Sequence, residues 1–252
     1  MTKELRSLDR WGFTNKKLYA VSNRLLKLIK SLRSSLLLTA YCIQPNMENI
    51  IFDLGNVIID IDFSLTFEVL AKLSDGYSAE EIAKIMTDQQ IWLNYEKGLL
   101  KDGEFRKVLR SNLSLQAHDS ELDNAFCALL LPIDPNRIAL IKRLAKKHRL
   151  FILSNTNYIH FKRVEKMIIE ATGVDIIEDE LIECAFLSYE MGMVKPDKDI
   201  YQQLLEEAMI LPKETLFLDD MLPNLKAAEK LGIKTKQIIP NQFTILDYFK
   251  KS

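Results

Sequence analysis

The chain has 252 residues, 48% of them hydrophobic and 27% charged, enough apolar material for one substantial core with a smaller appended domain. A formal net charge of −1 excludes the polyelectrolyte character expected of a nucleic-acid-binding protein. Cys42, Cys127 and Cys184 are widely spaced and form no CxxC, which predicts reduced thiols in a cytoplasmic protein, and no apolar run approaches the ~20 residues that span a bilayer.

Residues 1–46 hold nine Lys and Arg against Glu4 and Asp9, a balance of +7, so the rest of the chain sums to −8. Leu25-Leu26-Lys27-Leu28-Ile29-Lys30 followed by Leu36-Leu37-Leu38 has the pattern of a basic amphipathic helix or a poor signal sequence. Against a signal peptide, the apolar stretch 36–43 is short, contains Thr39 and Tyr41, and precedes no small-x-small cleavage pattern. Met47 stands two residues before the first core strand, so residues 1–46 are expected to be an accessory basic extension or a misassigned upstream start.

The first strand is expected at Asn49-Ile50-Ile51-Phe52, with Val57-Ile58-Ile59 continuing the apolar character beyond a turn. Residues 60–131 then read as helical. Ser78-Ala79-Glu80-Glu81 is a capping box opening a helix, and residues 91–96, 103–111 and 120–131 form further helices separated by the turn signals Lys97-Gly98 and Lys101-Asp102-Gly103. After Pro132 and Pro135 the pattern alternates: helix 138–147, strand 150–153, helix 161–172, an apolar segment near 185–187, helix 197–208, strand 215–218, helix 224–231 stopped by Gly232, and strand 235–239. Such alternation predicts an α/β, doubly wound parallel sheet with right-handed crossovers, formed by residues 47–59 and 132–252 and interrupted by the helical insertion 60–131.

In this fold chemistry gathers at the carboxyl ends of the strands. Four segments fall there in order: Asp53-Leu54-Gly55-Asn56-Val57, Ser154-Asn155-Thr156-Asn157, Lys195-Pro196 and Asp219-Asp220-Met221-Leu222-Pro223-Asn224. They resemble the four ordered motifs of the haloacid dehalogenase superfamily, and more narrowly its bacterial α-D-glucose-1-phosphatase-like branch. The resemblance extends from Asn49 to the C-terminus and includes Asp60-Ile61-Asp62-Phe63 and Asp247-Tyr248-Phe249. It implies a Rossmann-like core sheet with an inserted helical cap domain, and a Mg²⁺-dependent phosphatase acting on a small phosphorylated metabolite.

Within that resemblance each group has a task in phosphoryl transfer. Asp53 is the expected nucleophile, forming an aspartyl-phosphate. Asp53, the Gly55 backbone carbonyl and Asp220 would offer Mg²⁺ hard oxygen ligands, with Asp219 acting indirectly or as an occasional ligand. The Ser154 hydroxyl and the Asn155 amide would bind phosphoryl oxygens. Lys195 would neutralise the phosphate and keep Asp53 ionised, beside a helix start that also favours an anion. His118 and His148 are expected on the surface, with His160 or Asn157 the nearer candidates to border a substrate.

One position departs from the pattern. Most phosphatases of the superfamily carry a second Asp two residues after the nucleophile, which protonates the leaving group; here that residue is Gly55. Its loss removes an effect worth ~10²–10⁴ in rate, so a leaving group that departs easily, such as the anomeric oxygen of a sugar-1-phosphate, would suffer least. Two other classes fit parts of the chain: a metal-independent 2-haloacid dehalogenase, which needs no general acid but does not call for paired Asp219-Asp220, and a non-catalytic binding protein that kept the fold.

Overall fold

The computed structural model describes residues 47–251, so the basic extension expected over residues 1–46 lies outside the described residues. Five parallel strands form one sheet in the order β3-β2-β1-β4-β5: β1 Asn49–Phe52, β2 Arg149–Ser154, β3 Cys184–Leu187, β4 Thr215–Asp219 and β5 Lys234–Gln237. The central strand β1 pairs with β2 on one side and β4 on the other, Phe52 standing opposite both Ile152 and Leu218. The chain moves outward from β1 through β2 to β3 and then crosses back to β4. The strand order therefore reverses between β1 and β4, which in open α/β sheets opens a crevice at the strands' carboxyl ends.

All four β1 residues are buried, as expected of a strand covered on both faces. Because side chains alternate, Ile50 and Phe52 join Leu150, Ile152, Leu216 and Leu218 on one face, while Ile51 joins Phe151, Leu153, Phe186 and Phe217 on the other. The first face is covered by helix α6 (Pro135–Leu144), α7 (Tyr158–Thr172) and α11 (Ile245–Tyr248); the second by α9 (Lys198–Glu207) and α10 (Leu222–Glu229). Burying a side chain such as Phe52 or Phe217 stabilises the fold by roughly 1.5–3 kcal/mol.

Between β1 and α6 the chain forms five helices: α1 (Phe63–Leu73), α2 (Ala79–Asp88), α3 (Ile91–Glu96), α4 (Asp102–Leu113) and α5 (Asp119–Phe126), then a 3₁₀ turn at Cys127–Leu129. The Ser78 capping box opens α2. Helix α1 is a further element beyond those the sequence pattern marks; its N-cap is Asp62, whose carboxylate accepts from Ser64 N–H. The five helices share a separate apolar cluster containing Leu70, Ile82, Met86, Tyr95, Phe105, Leu109 and Phe126. The rings of Tyr95 and Phe105 stack at 4.0 Å. Ile159 of α7 joins that cluster from the sheet domain, and His160 beside it stacks on Phe126 at 4.1 Å, so α7 serves both layers.

The two connections between layers run side by side. Leu131 N–H donates to Asp60 O, Asp62 N–H donates to Leu129 O, and Arg137 clasps the Asp60 carboxylate with two 2.9 Å bonds. Further along, Ser188–Met191 forms the short helix α8, and the Lys195–Pro196 peptide is cis. Among the described residues no helix is long and apolar enough to cross a membrane, and Cys127 and Cys184 are free thiols.

Candidate active site

Asp53 follows β1 directly and extends its pairing, its N–H donating to Leu218 O at 2.8 Å. The chain then turns sharply: Ile58 and Ile59 N–H both donate to Leu54 O, and Asn56 adopts a left-handed conformation at φ 58°. Asn tolerates this region better than most residues. The turn leaves the Asp53 carboxylate at the mouth of the crevice, nearly buried, with one oxygen accepting from Leu54 N–H.

Lys195 reaches the same point from the loop after α8. Its ammonium lies 2.8 Å from Asp53 Oδ1 and 2.7 Å from Asp219 Oδ2, over the Phe217 ring at 5.5 Å. Burial works against the lysine's charge, but the carboxylates of Asp53 and Asp219 outweigh it and hold the ammonium above the usual lysine range. Burial likewise drives Asp53 up, to about 7, with Lys195 opposing and the Asp219 charge reinforcing the rise. Burial also raises Asp220, against the hydrogen bond from Asn56.

The acids at the end of β4 occupy different surroundings. Asp219 is fully buried and its oxygens are committed to Lys195, to Met221 N–H at 2.7 Å, and to Asn224 Nδ2 at 3.0 and 3.1 Å. Asp220 is half-buried, with Oδ2 accepting from Asn56 Nδ2 at 2.9 Å. Asp53, Asp219 and Asp220 each present an oxygen within 4.8 Å of the others. Three carboxylates here face one ammonium, so when ionised the cluster carries two uncompensated negative charges. An all-oxygen donor set with that excess charge fits a hard divalent cation such as Mg²⁺. Asp220 is less committed to protein partners than Asp219 and would be the more available of the two to a cation.

Ser154, the last residue of β2, is buried and lines a small cavity of about 50 Å³ with Gly55, Asn155, Thr156, Trp92, Glu96 and His160. The Asn155 side chain differs from its expected use. Its amide donates to Lys195 O at 2.9 Å and its carbonyl accepts from Lys195 N–H at 2.8 Å, so both ends hold the lysine's backbone rather than a phosphoryl oxygen. Asn157 also serves structure: it is fully buried and caps α7 by accepting from His160 N–H. His160 is buried and lines the cavity, while His118 is exposed and His148 half-buried with its ring against Met47 O.

Two residues of the quoted motifs were given no task from the sequence. Asn56 bridges the first turn, Asp220 and, through Oδ1, Ile61 N–H; Asn224 holds Asp219. Glu96, the last residue of α3, carries no motif signal in the sequence, yet it lines the cavity at the strand ends. A larger cavity of about 400 Å³ lies beside Tyr95, Lys101, Tyr158 and Tyr189, but none of the four motif groups lines it.

The switch-point crevice of this α/β sheet thus gathers a buried carboxylate, a lysine between two acids and an oxygen donor set that fits a hard cation. A profile of the haloacid dehalogenase-like hydrolases matches residues 47–232, and the chain belongs to that family of enzymes. The D-ribitol-5-phosphate phosphatase of Bacteroides thetaiotaomicron is 28% identical over 191 residues, 76% of this chain and 91% of that protein. The crystal structure of a haloacid dehalogenase family enzyme of the same organism is similar at 34% identity and a TM-score of 0.73, covering 78% of this chain and 96% of the other. The complex of that enzyme with magnesium and inorganic phosphate matches with a TM-score of 0.72 at 33% identity over the same shares.

Proposed function

We propose that this hydrolase is a Mg²⁺-dependent phosphomonoesterase acting on a small phosphorylated metabolite of the sugar or polyol class, through an aspartyl-phosphate on Asp53. The observation that carries the reading is the Asp53–Lys195–Asp219 array beside Asp220, a single cation amid three acids at the strand ends. The similarity to a D-ribitol-5-phosphate phosphatase, and to an enzyme crystallised with magnesium and inorganic phosphate, supports it.

In this reading Asp53 attacks phosphorus, and Lys195 holds the attacking carboxylate in place while offsetting charge on the phosphoryl oxygens. Asp53, Asp220 and the Gly55 carbonyl would hold the cation, which supplies charge neutralisation at the phosphoryl group. Ser154 Oγ would donate to a phosphoryl oxygen. Asn155 acts one step back, fixing the backbone of Lys195. The insertion 60–131 acts as a cap that shields the aspartyl-phosphate from bulk water.

The substrate follows from the leaving group. A sugar-1-phosphate needs least help in departing, whereas a terminal phosphate such as a pentitol 5-phosphate leaves as an ordinary alkoxide and requires a proton. A phosphate-release panel with MgCl₂ across sugar-1-, sugar-6- and polyol-phosphates tests the reading. Release abolished by EDTA is expected, and Asp53→Asn should be inactive. Metal-independent halide release from 2-haloacids would instead favour the dehalogenase chemistry.

A further inference from the structure

The half-buried Glu96, at the end of α3, lines the same small cavity as Gly55 and Ser154. Its Oε1 accepts from the indole N–H of Trp92 at 2.8 Å. Among the described residues no Lys, Arg or His forms an ion pair with it, although the site contains Lys195. Trp92 is itself held in place by rings: it sits 4.8 Å from Phe126, 5.7 Å from His160 and 5.3 Å from Phe63. A carboxyl group lining a small, mostly apolar cavity, with one neutral donor and no ion-pair partner among the described residues, favours its protonated form. With Oε1 taken as acceptor by Trp92, the acidic proton sits on Oε2.

We propose that Glu96, carried over the strand ends by the helical insertion, is the proton donor and then the proton acceptor that Gly55 does not provide. The inference rests on the phosphomonoesterase reading above. As an Asp53 oxygen bonds to phosphorus and the bond from phosphorus to the ester oxygen breaks, Glu96 delivers its proton to that oxygen, releasing the alcohol and leaving a carboxylate. Water then attacks the aspartyl-phosphate. Glu96 takes the water's proton, the phosphorus–oxygen bond to Asp53 breaks, and inorganic phosphate, the Asp53 carboxylate and protonated Glu96 are restored. The cycle consumes one phosphomonoester and one water.

The charged and titratable groups facing Glu96 agree with this cycle. Enclosure raises its carboxyl to about 7, with the Trp92 hydrogen bond and the Lys195 charge lowering it and the Asp53 charge raising it. His160, across the cavity on α7, is kept neutral by burial, which pushes its pKa down to about 4, so it adds no charge near neutral pH. A general acid–base group works best when its pKa lies near the working pH. Gly55 leaves little space for a side chain of its own, since a Cβ there would meet Ile61 Cδ1 at 3.0 Å.

The test compares an alkyl phosphate, which needs a proton to leave, with p-nitrophenyl phosphate, whose anion leaves unprotonated, using the full chain with MgCl₂. Glu96→Gln should lose ~10²–10⁴-fold on the alkyl ester. With p-nitrophenyl phosphate it should still give a burst of one nitrophenolate per enzyme, followed by slow turnover as the aspartyl-phosphate waits for a base. Glu96→Asp should recover part of the alkyl activity. Trp92→Phe, which keeps the ring but removes the donor, should move the alkaline limb of the kcat/KM profile upward. An equal loss on both esters without a burst, or an unchanged alkaline limb in Trp92→Phe, overturns the role of Glu96 while leaving the phosphatase reading intact. Absence of phosphate release by the wild-type chain from every ester overturns the phosphatase reading itself, and this inference with it.

Discussion

Replacing Lys195 by Met keeps most of the side chain's volume but removes the ammonium that lies between Asp53 and Asp219. At 2.8 and 2.7 Å, each contact is worth about 6 kcal/mol by Coulomb's law at an effective dielectric of ~20. Much of that is offset by the cost of burying the charges. The net effect of removing one partner from a buried array is therefore ~3–5 kcal/mol, because Asp219 stays enclosed with no cation. The loss must depend on pH. Asp53 already has a folded-state pKa above its unfolded value, so its protonated form favours folding below about 3.8, and that contribution disappears as pH rises through about 7. Without Lys195 the folded-state value rises further. The variant should then recover part of its deficit at pH 5.5, where Asp53 takes up a proton, and show the full loss at pH 8. Urea unfolding midpoints of wild type and Lys195→Met at both pH values, in EDTA, measure this. A loss under ~1 kcal/mol, or one identical at the two pH values, would refute the claim that Lys195 compensates these carboxylates.

Three further outcomes follow from particular contacts. Asn155→Ala removes both hydrogen bonds to the Lys195 backbone and should cost ~2 kcal/mol in urea unfolding, with kcat falling more than KM rises because the lysine loses its position rather than its charge. Gly98→Ala puts a Cβ 2.2 Å from Tyr189 O at a residue with φ +66°, so a drop of at least ~2 kcal/mol is expected by the same measurement; an unchanged midpoint would show that α3 moves freely against Tyr189. For His160 the folded-state pKa, about 4, lies below the unfolded 6.5, so its contribution is present above pH 6.5 and lost as pH falls toward 4, amounting to about 3 kcal/mol. The stability difference between wild type and His160→Phe should change by this amount across that window, and a constant difference would contradict the buried neutral ring.

What the sequence determined by itself was whatever is local or periodic. The apolar runs that became β1, β2 and β4 and the Ile91–Glu96 helix depend on hydrophobic period, and the Ser78 capping box on contacts within a few residues, so they could be read in order along the chain. Helix α1 was less legible because its start rests on the Asp62 cap, three residues beyond the apolar run 57–59. The tertiary structure decided the partners. Asn155 meets Lys195 forty positions away, and Asn56 meets Asp220 one hundred and sixty-four away. Asp219 and Asp220 are neighbours in sequence, yet one is enclosed by Lys195 and Asn224 while the other stays half-open. Glu96 is an ordinary helix-end acid in sequence; burial over the strand ends is what raises its pKa, against the hydrogen bond from Trp92. Hydrogen bonding and desolvation depend on distances the chain acquires only when the sheet and the helical layer close together, and for that reason the chemistry missing at Gly55 could be sought only in the folded molecule.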